Sequence, residues 1–492
     1  MKKDFLTRDF PSWKHLLGPM GPRSVTSALG KVRQATLTQI EEHLGRFLPS
    51  CLLLQPAQGL NSRDRVFSLS RTFWCFLWQM LQFNTACREV VRQVQALFKL
   101  KDGAQVDEAT GAYCQARQRL PLSLLQKALG ASAQAALQRA PRCLLLAGRA
   151  LKFVDGSSLR LADTAKNQKK FPQPKNQKPG CGFPVMRLVI LYCGSTGAVL
   201  ARRIGSLCQS ELKLFYALAK DLIKGDILIA DRGFANFTLL AFLLSLQLGI
   251  DFIGRVATGS RRVDFRRAKR LSKNDGLFVW KKTPQLGQWL PKKIRAALSP
   301  EITVRILRLS VRQKGFRPKA ITLVTTLLDP KLYPAAEIAA AYLRRWRLEM
   351  CFDDLKTTLG LENLKCLTPE MVEKELLAGL ILYNLLRVVM AEAAQTHAVE
   401  LDQISFKGSL DALRQFSNAL CQTRHRHKRR QLWACLLQTL ADDLVVPRPG
   451  RREPRAVKHI SKYPKLTRPR HQQKDRPSRC DRRGIAKKRH AI

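Results

Sequence analysis

Negative charge is what this chain has least of. Its 492 residues carry 37 Asp and Glu against 86 Lys and Arg, a formal net charge of +49. So basic a surface repels itself unless a polyanion relieves it, which argues against an ordinary small-molecule enzyme and makes nucleic acid the expected partner. The thirteen cysteines contain no C-x-x-C pair, which argues against a zinc ribbon and against a secreted disulfide framework. The N-terminus, Met1-Lys2-Lys3-Asp4, lacks the apolar core and small cleavage-site residues of a signal peptide. Its longest apolar stretches, Leu239–Ile250 and Leu376–Leu386, are too short to span a bilayer. No membrane partner is expected. What the chain does have is 45% apolar residues, ample for sizeable buried cores.

Texture divides the chain into six expected parts. Residues 1–140 read as helical and basic, a candidate DNA-binding domain, with Phe73, Phe76, Leu77, Met80 and Leu81 on one stripe within Ser70–Leu100. Residues 141–257 alternate strand and helix signals. A strand enters a turn at Asp155-Gly156-Ser157, a lysine-rich loop covers Lys166–Gly182, and strands follow at Val185–Cys193 and Ala198–Ser206. Ser210 is placed to cap a helix reaching about Ile223, which Gly225 stops. Asp226–Asp231 is a buried-strand run, then comes a helix from Asn236 and a strand at Asp251–Val256. This is a mixed α/β order. Residues 258–333 read as a basic, β-rich insertion with strands at Leu277–Trp280, Ile302–Val311 and Ala320–Leu327. In 334–395 one long helix is expected from Ala335 to Leu359 and a second over Glu373–Glu392. Helical residues 396–447 lead to a basic tail, 448–492, with 17 Lys and Arg to 3 acids. Such a tail is expected to stay disordered until it meets phosphates.

In so acid-poor a chain, a carboxylate in apolar company needs a reason. Asp155 closes Lys152-Phe153-Val154 and Asp231 closes Ile227-Leu228-Ile229-Ala230. A poorly solvated carboxylate wants a cation, a metal or hydrogen bonds. Asp-Gly and Asp-Arg-Gly are also ordinary turn openers, so each site alone weighs evenly. The long helix tips the balance. Tyr342, Arg345, Glu349 and Lys356 fall at offsets of three, four and seven, on one helical face. A solvated ion-paired face has the same spacing, but the aromatic company of Tyr342, Trp346 and Phe352 favours a half-buried helix facing a site.

Together these residues resemble the DDE transposases of the insertion-sequence-four family. Tyr342-x2-Arg345-x3-Glu349-x6-Lys356 on a helix, Asp231-x-Gly-Phe234 closing a strand, and Asp155-Gly-Ser at an earlier strand match that pattern over roughly Cys143 to Glu392. The resemblance implies an α/β, ribonuclease-H-like catalytic core with a β-rich insertion between second aspartate and glutamate. The aspartates are 76 residues apart, and 118 residues separate Asp231 from Glu349. Asp264, among arginines, fits a shorter-spaced pattern but reads as an exposed ion pair. The implied chemistry is in-line displacement at a phosphodiester, for which two divalent ions clamp the attacking and leaving oxygens. Magnesium, with manganese able to substitute, takes oxygen ligands. On this expectation Asp155 is shared between two ions, Asp231 and Glu349 complete the two sites, Arg345 and Lys356 hold phosphates, and Tyr342 hydrogen-bonds a phosphate oxygen. Trp280 is the better of two insertion-domain tryptophans for stacking on a flipped DNA base, although core packing is the ordinary role of each.

The expected function is cleavage of an insertion sequence's terminal inverted repeats and their joining to target DNA. The expected partners are double-stranded DNA, as element ends and as target, and a second copy of the chain in a synaptic homodimer. The expected compartment is the bacterial cytosol with its nucleoid. Two rival readings are an inactive or domesticated transposase-derived DNA-binding protein and a nuclease of the same fold.

Overall fold

Apolar runs separated by well-capped helices assemble one mixed sheet with helices on both faces. The computed structural model describes residues 43–445 except 63–64, 83–84, 102–105, 140–144, 257–262, 283–286, 312–318 and 423–424. The expected basic tail and the first part of the expected N-terminal domain lie outside the described residues.

Among the described residues, two short 3-10 turns, Gly45–Phe47 and Ser50–Leu53, precede α1 (Leu69–Leu81), α2 (Cys87–Lys101), α3 (Gly111–Arg119) and α4 (Leu122–Leu137). The Ser68 hydroxyl accepts from the Arg71 N–H and starts α1, whose Phe73, Phe76, Leu77 and Leu81 are buried as the stripe requires. The sheet strands then follow, β1 (Leu151–Leu161), β2 (Val185–Cys193) and β3 (Val199–Ser206), with a short helix α5 (Ala165–Lys170) inside the expected loop. Ser210 caps α6 (Glu211–Leu218) through the Lys213 N–H, as its position foretells. Gly225, at φ +83°, makes the left-handed turn into β4 (Ile227–Ala230). Asn236 caps α7 (Phe237–Ser245), and β5 (Asp251–Arg255) follows.

Strands β6 (Lys269–Ser272), β7 (Asp275–Lys281), β8 (Glu301–Val311) and β9 (Lys319–Thr325), with α8 (Lys292–Ala297) between β7 and β8, fill the basic segment. The order across the sheet is β3-β2-β1-β4-β5-β9-β8-β7-β6. Strands β1, β4 and β5 run parallel, while β2 and β3 are antiparallel to their neighbours. Because β9 pairs with β5, the β-rich segment extends the same sheet.

The remaining elements are α9 (Ala335–Leu343), α10 (Trp346–Asp353), β10 (Asn363–Leu364), α11 (Pro369–Thr396), α12 (Phe406–Gln422) and α13 (Arg426–Asp442). Leu151, Phe153, Ile227 and Ile229 point into one apolar core, with α1, α4 and α11; Val154, Leu228 and Ala230 point into the other, with α6 and α7. Helix α11 exceeds the expected length because Thr368 caps it at Met371 with Pro369 at its first position. It is long and apolar enough to cross a membrane, yet 94% of its apolar window is buried inside the protein.

Candidate active site

The site begins where two parallel strands part. The last paired residues of β1 and β4 are Val154 and Ala230. Asp155 and Asp231 are the next positions on each strand. By strand alternation they leave the sheet on the face of Phe153 and Ile229. Asp231 ends its strand as expected, its carbonyl accepting from the Phe234 N–H at 3.0 Å. Asp155 does not. It sits inside an eleven-residue strand, registered opposite Ile190 of β2. The long antiparallel pairing with β2 overrides the turn tendency of Asp155-Gly156-Ser157, a non-local effect that local sequence does not carry. On its other edge β1 meets β10 only at Arg160 and Leu161, so 155–159 border an opening in the sheet.

Helix α10 crosses this opening. Phe352 packs edge-on against Tyr192 of β2, ring centroids 5.5 Å apart, which fixes the helix beside β1. The single helix expected from Ala335 to Leu359 is instead broken. At Arg344-Arg345 the bonds tighten to three-residue spacing, with the Arg345 N–H donating to the Tyr342 carbonyl at 2.9 Å and Arg347 to Arg344 at 3.0 Å. After Asp353 a π turn, Asp354–Thr358, widens them. Helix-compatible residues conceal both adjustments in the sequence, and such irregular turns often accompany functional sites.

Asp155, Ser157, Glu349, Asp353, Lys356 and Thr357 line one cavity of about 350 Å³. Arg345 lies 5.9 Å over the Tyr342 ring and donates to Glu349 at 3.3 Å. The cavity gathers Asp155, Glu349 and Lys356, while Asp231 and Tyr342 adjoin Asp155 through the charge of Arg345. Trp280 does not line that cavity. It stands on β7 opposite Ile302, half-buried against the α6–α7 core, the ordinary packing role. Asp264 forms the exposed pair with Arg266 that its context foretells.

The electrostatics are unbalanced. Burial pushes the Asp155 carboxyl up to about 6, and the charges of Asp231 and Glu211 push the same way against the Gly156 N–H and Arg345. Burial alone would lower the Arg345 guanidinium, yet Tyr342, Asp231 and Asp155 together raise it. Burial also raises the Tyr342 phenol, with Arg345 and Arg255 opposing. Asp354, in the π turn, is lifted to about 7 by burial and by Asp353. Arg345 is thus the guanidinium nearest these carboxylates, with Arg255 acting on the neighbouring Tyr342. Among the described residues, no three His, Cys, Asp or Glu side chains converge closely enough to hold a metal ion.

Sequence reasoning missed Glu211 and Arg255. Glu211 reads as a first-turn acid favouring its helix, yet its carboxyl lies against the bare face of Gly156. A Cβ there would fall 2.4 Å from the Glu211 Cδ. The signal available was its rarity, an acid at a helix start in an acid-poor chain.

Residues 147–385 match the family model of the transposase DDE domain. Transposase InsG for insertion sequence element IS4, from Escherichia coli (strain K12), is 25% identical over 364 residues, spanning 73% of this chain and 78% of that protein. Among solved structures, a cryo-EM structure of the piggyBac transposase synaptic complex with hairpin DNA aligns at a TM-score of 0.40 and 9% identity, covering 95% of this chain and 92% of that one. That score is too low to equate the two folds.

Proposed function

Since the chain is a DDE-type transposase of the insertion-sequence-four kind, we propose that Asp155, Asp231 and Glu349 form its catalytic carboxylate triad. On this reading the sheet order β3-β2-β1-β4-β5 is a ribonuclease-H-like core spanning 141–257 and 334–395, interrupted by the β-rich insertion 258–333. The chain binds the terminal repeats of its element, cuts there and joins the freed ends to target DNA as a synaptic homodimer, acting in the bacterial cytosol.

One observation carries the reading. Asp155 and Asp231 emerge side by side where β1 and β4 part, across from Glu349, with Arg345 the near cation. A surplus of carboxylate oxygens around Asp155 suits a hard divalent cation. The bare face of Gly156 lets the Glu211 carboxyl approach the strand behind Asp155. Asp155, Asp231 and Glu349 would hold the ion, Mg²⁺ with Mn²⁺ able to substitute. When bound it supplies Lewis-acid charge for in-line displacement at the phosphodiester. Arg345 and Lys356 bind phosphate oxygens beside the scissile bond, and the Tyr342 hydroxyl donates to another. The Phe352–Tyr192 contact fixes the helix that carries Glu349 against the sheet that carries the aspartates.

The test is single-turnover cleavage of a labelled duplex bearing the element's terminal repeat, at matched DNA occupancy. Glu349→Gln is expected to slow cleavage by about a thousandfold or more, the several kcal/mol a metal clamp supplies, with DNA binding retained. A rate comparable to wild type would reduce Glu349 to the partner in an i,i+4 surface ion pair worth about 0.3–0.5 kcal/mol.

A further inference from the structure

Away from the carboxylates, a cavity of about 800 Å³ opens between the start of α7 and the β7–α8–β8 segment. Lys281, Lys282, Lys292 and Arg295 line it, with Glu301 its one acidic lining residue. Lysines 281 and 292 are exposed. Lys282 is spent on structure, its Nζ donating to the carbonyl of Arg295 at 2.7 Å and pinning β7 to α8. The apolar wall comes from Phe237 and Leu298.

Two polar groups on this surface point to a ligand rather than to a merely solvated basic face. Thr238, in the first turn of α7, is only 2% exposed, and its hydroxyl has no hydrogen-bond partner among the described residues. The Arg295 Nε, also buried, likewise has none among the described residues. Leaving such groups without an acceptor costs free energy. The nine-residue helix α7 starts at the same wall, where N–H groups of a first turn lack intrahelical partners and the helix dipole favours an anion. Hydroxyl, guanidinium N–H and helix start all want an oxygen acceptor, and the lysines want negative charge. A phosphodiester oxygen satisfies both.

The groove also has a direct connection to the chemistry. Asp231 and the Asn236 cap of α7 are joined only by Arg232-Gly233-Phe234-Ala235, so strand end and groove lie at opposite ends of one short turn. We propose that this groove holds the sugar–phosphate backbone of duplex DNA running from the carboxylate site, anchored by Lys281, Lys292, Arg295 and the Thr238 hydroxyl. The inference deepens the transposase reading and takes DNA as the partner from it.

The experiment measures affinity for a labelled random-sequence duplex across a salt titration in EDTA, for the full chain and for Lys281→Gln/Lys292→Gln. Both lysines are exposed, so the double variant should melt with wild type. The expected result is weaker binding on every sequence and a log–log salt slope shallower by about 1.8, two phosphate contacts at about 0.9 each. Thr238→Val, nearly isosteric, should weaken binding without changing the slope, because its hydroxyl is uncharged. A wild-type slope in the double variant overturns the proposal. So does a loss confined to one sequence, since backbone contacts carry no sequence information. Glu349→Gln separates the two claims: normal cleavage by that variant beside a flattened slope here would sink the triad and spare the groove, and the reverse pair of results would sink the groove alone.

Discussion

Two meetings of Arg and Asp in this molecule have opposite accounting. Between β7 and β8, Arg305 is 1% exposed. It forks onto Asp275, Nε to Oδ1 at 2.9 Å and Nη2 to Oδ2 at 2.6 Å, while Nη1 donates to the Tyr333 carbonyl at 2.7 Å. One cation meets one anion, and each carboxylate oxygen accepts a guanidinium N–H. At the β1–β4 parting, Arg345 faces Asp155, Asp231 and Glu349 with Glu211 close behind. A closed pair of this kind holds strands together. An open one, with negative charge to spare in a chain of net charge +49, is what the proposed cation site requires. Surplus separates the two, together with burial: Arg345 is half-buried and Glu349 exposed.

The contrast is most strongly challenged at the closed pair. Arg305→Met keeps volume but strands the Asp275 carboxylate in the core, and should lower unfolding free energy by about 3–5 kcal/mol. Chemical denaturation measures it; a cost under about 1 kcal/mol would mean the two sites do not differ as argued. A smaller effect sharpens the open site. The Asp155 carboxyl is raised to about 6 from an unfolded value near 3.9, so between those values the folded state binds the extra proton. Its contribution to stability is therefore greatest below about pH 4, falls as pH rises to about 6 and is flat above. This is opposite to a salt-bridged aspartate. In metal-free melting across that window, wild type should lose stability relative to Asp155→Asn. Parallel pH curves would show that Asp155 is adequately paired.

Much of this was legible in the chain itself, for local reasons. The caps Ser210 and Asn236, the apolar run closing on Asp231 and the helical offsets of Tyr342, Arg345 and Glu349 are short-range signals, and the structure honours them. Partners distant in sequence were not legible. Asp155 looked like a strand end because the chain does not announce that β2 will keep it extended. The tightened turn at Arg345 and the π turn after Asp353 use residues that suit an unbroken helix. Strand β6 and helix α8 were missed because their basic residues, Lys269, Arg270, Lys292 and Lys293, mask any apolar periodicity. Glu211 needed the bare face of Gly156, 55 positions earlier, before its place had meaning.

The central claim is that the carboxylates at the β1–β4 parting are surplus because they await a divalent cation. Thermal melting of wild type and Asp155→Asn, each with and without Mg²⁺, tests it without requiring DNA. The account predicts that Mg²⁺ stabilises wild type by about 1.4 kcal/mol at ten times its dissociation constant. It predicts further that Asp155→Asn melts at or above wild type without metal and gains nothing from it. An Asp155→Asn protein that melts lower without metal, yet still gains the wild-type increment from Mg²⁺, would contradict the account.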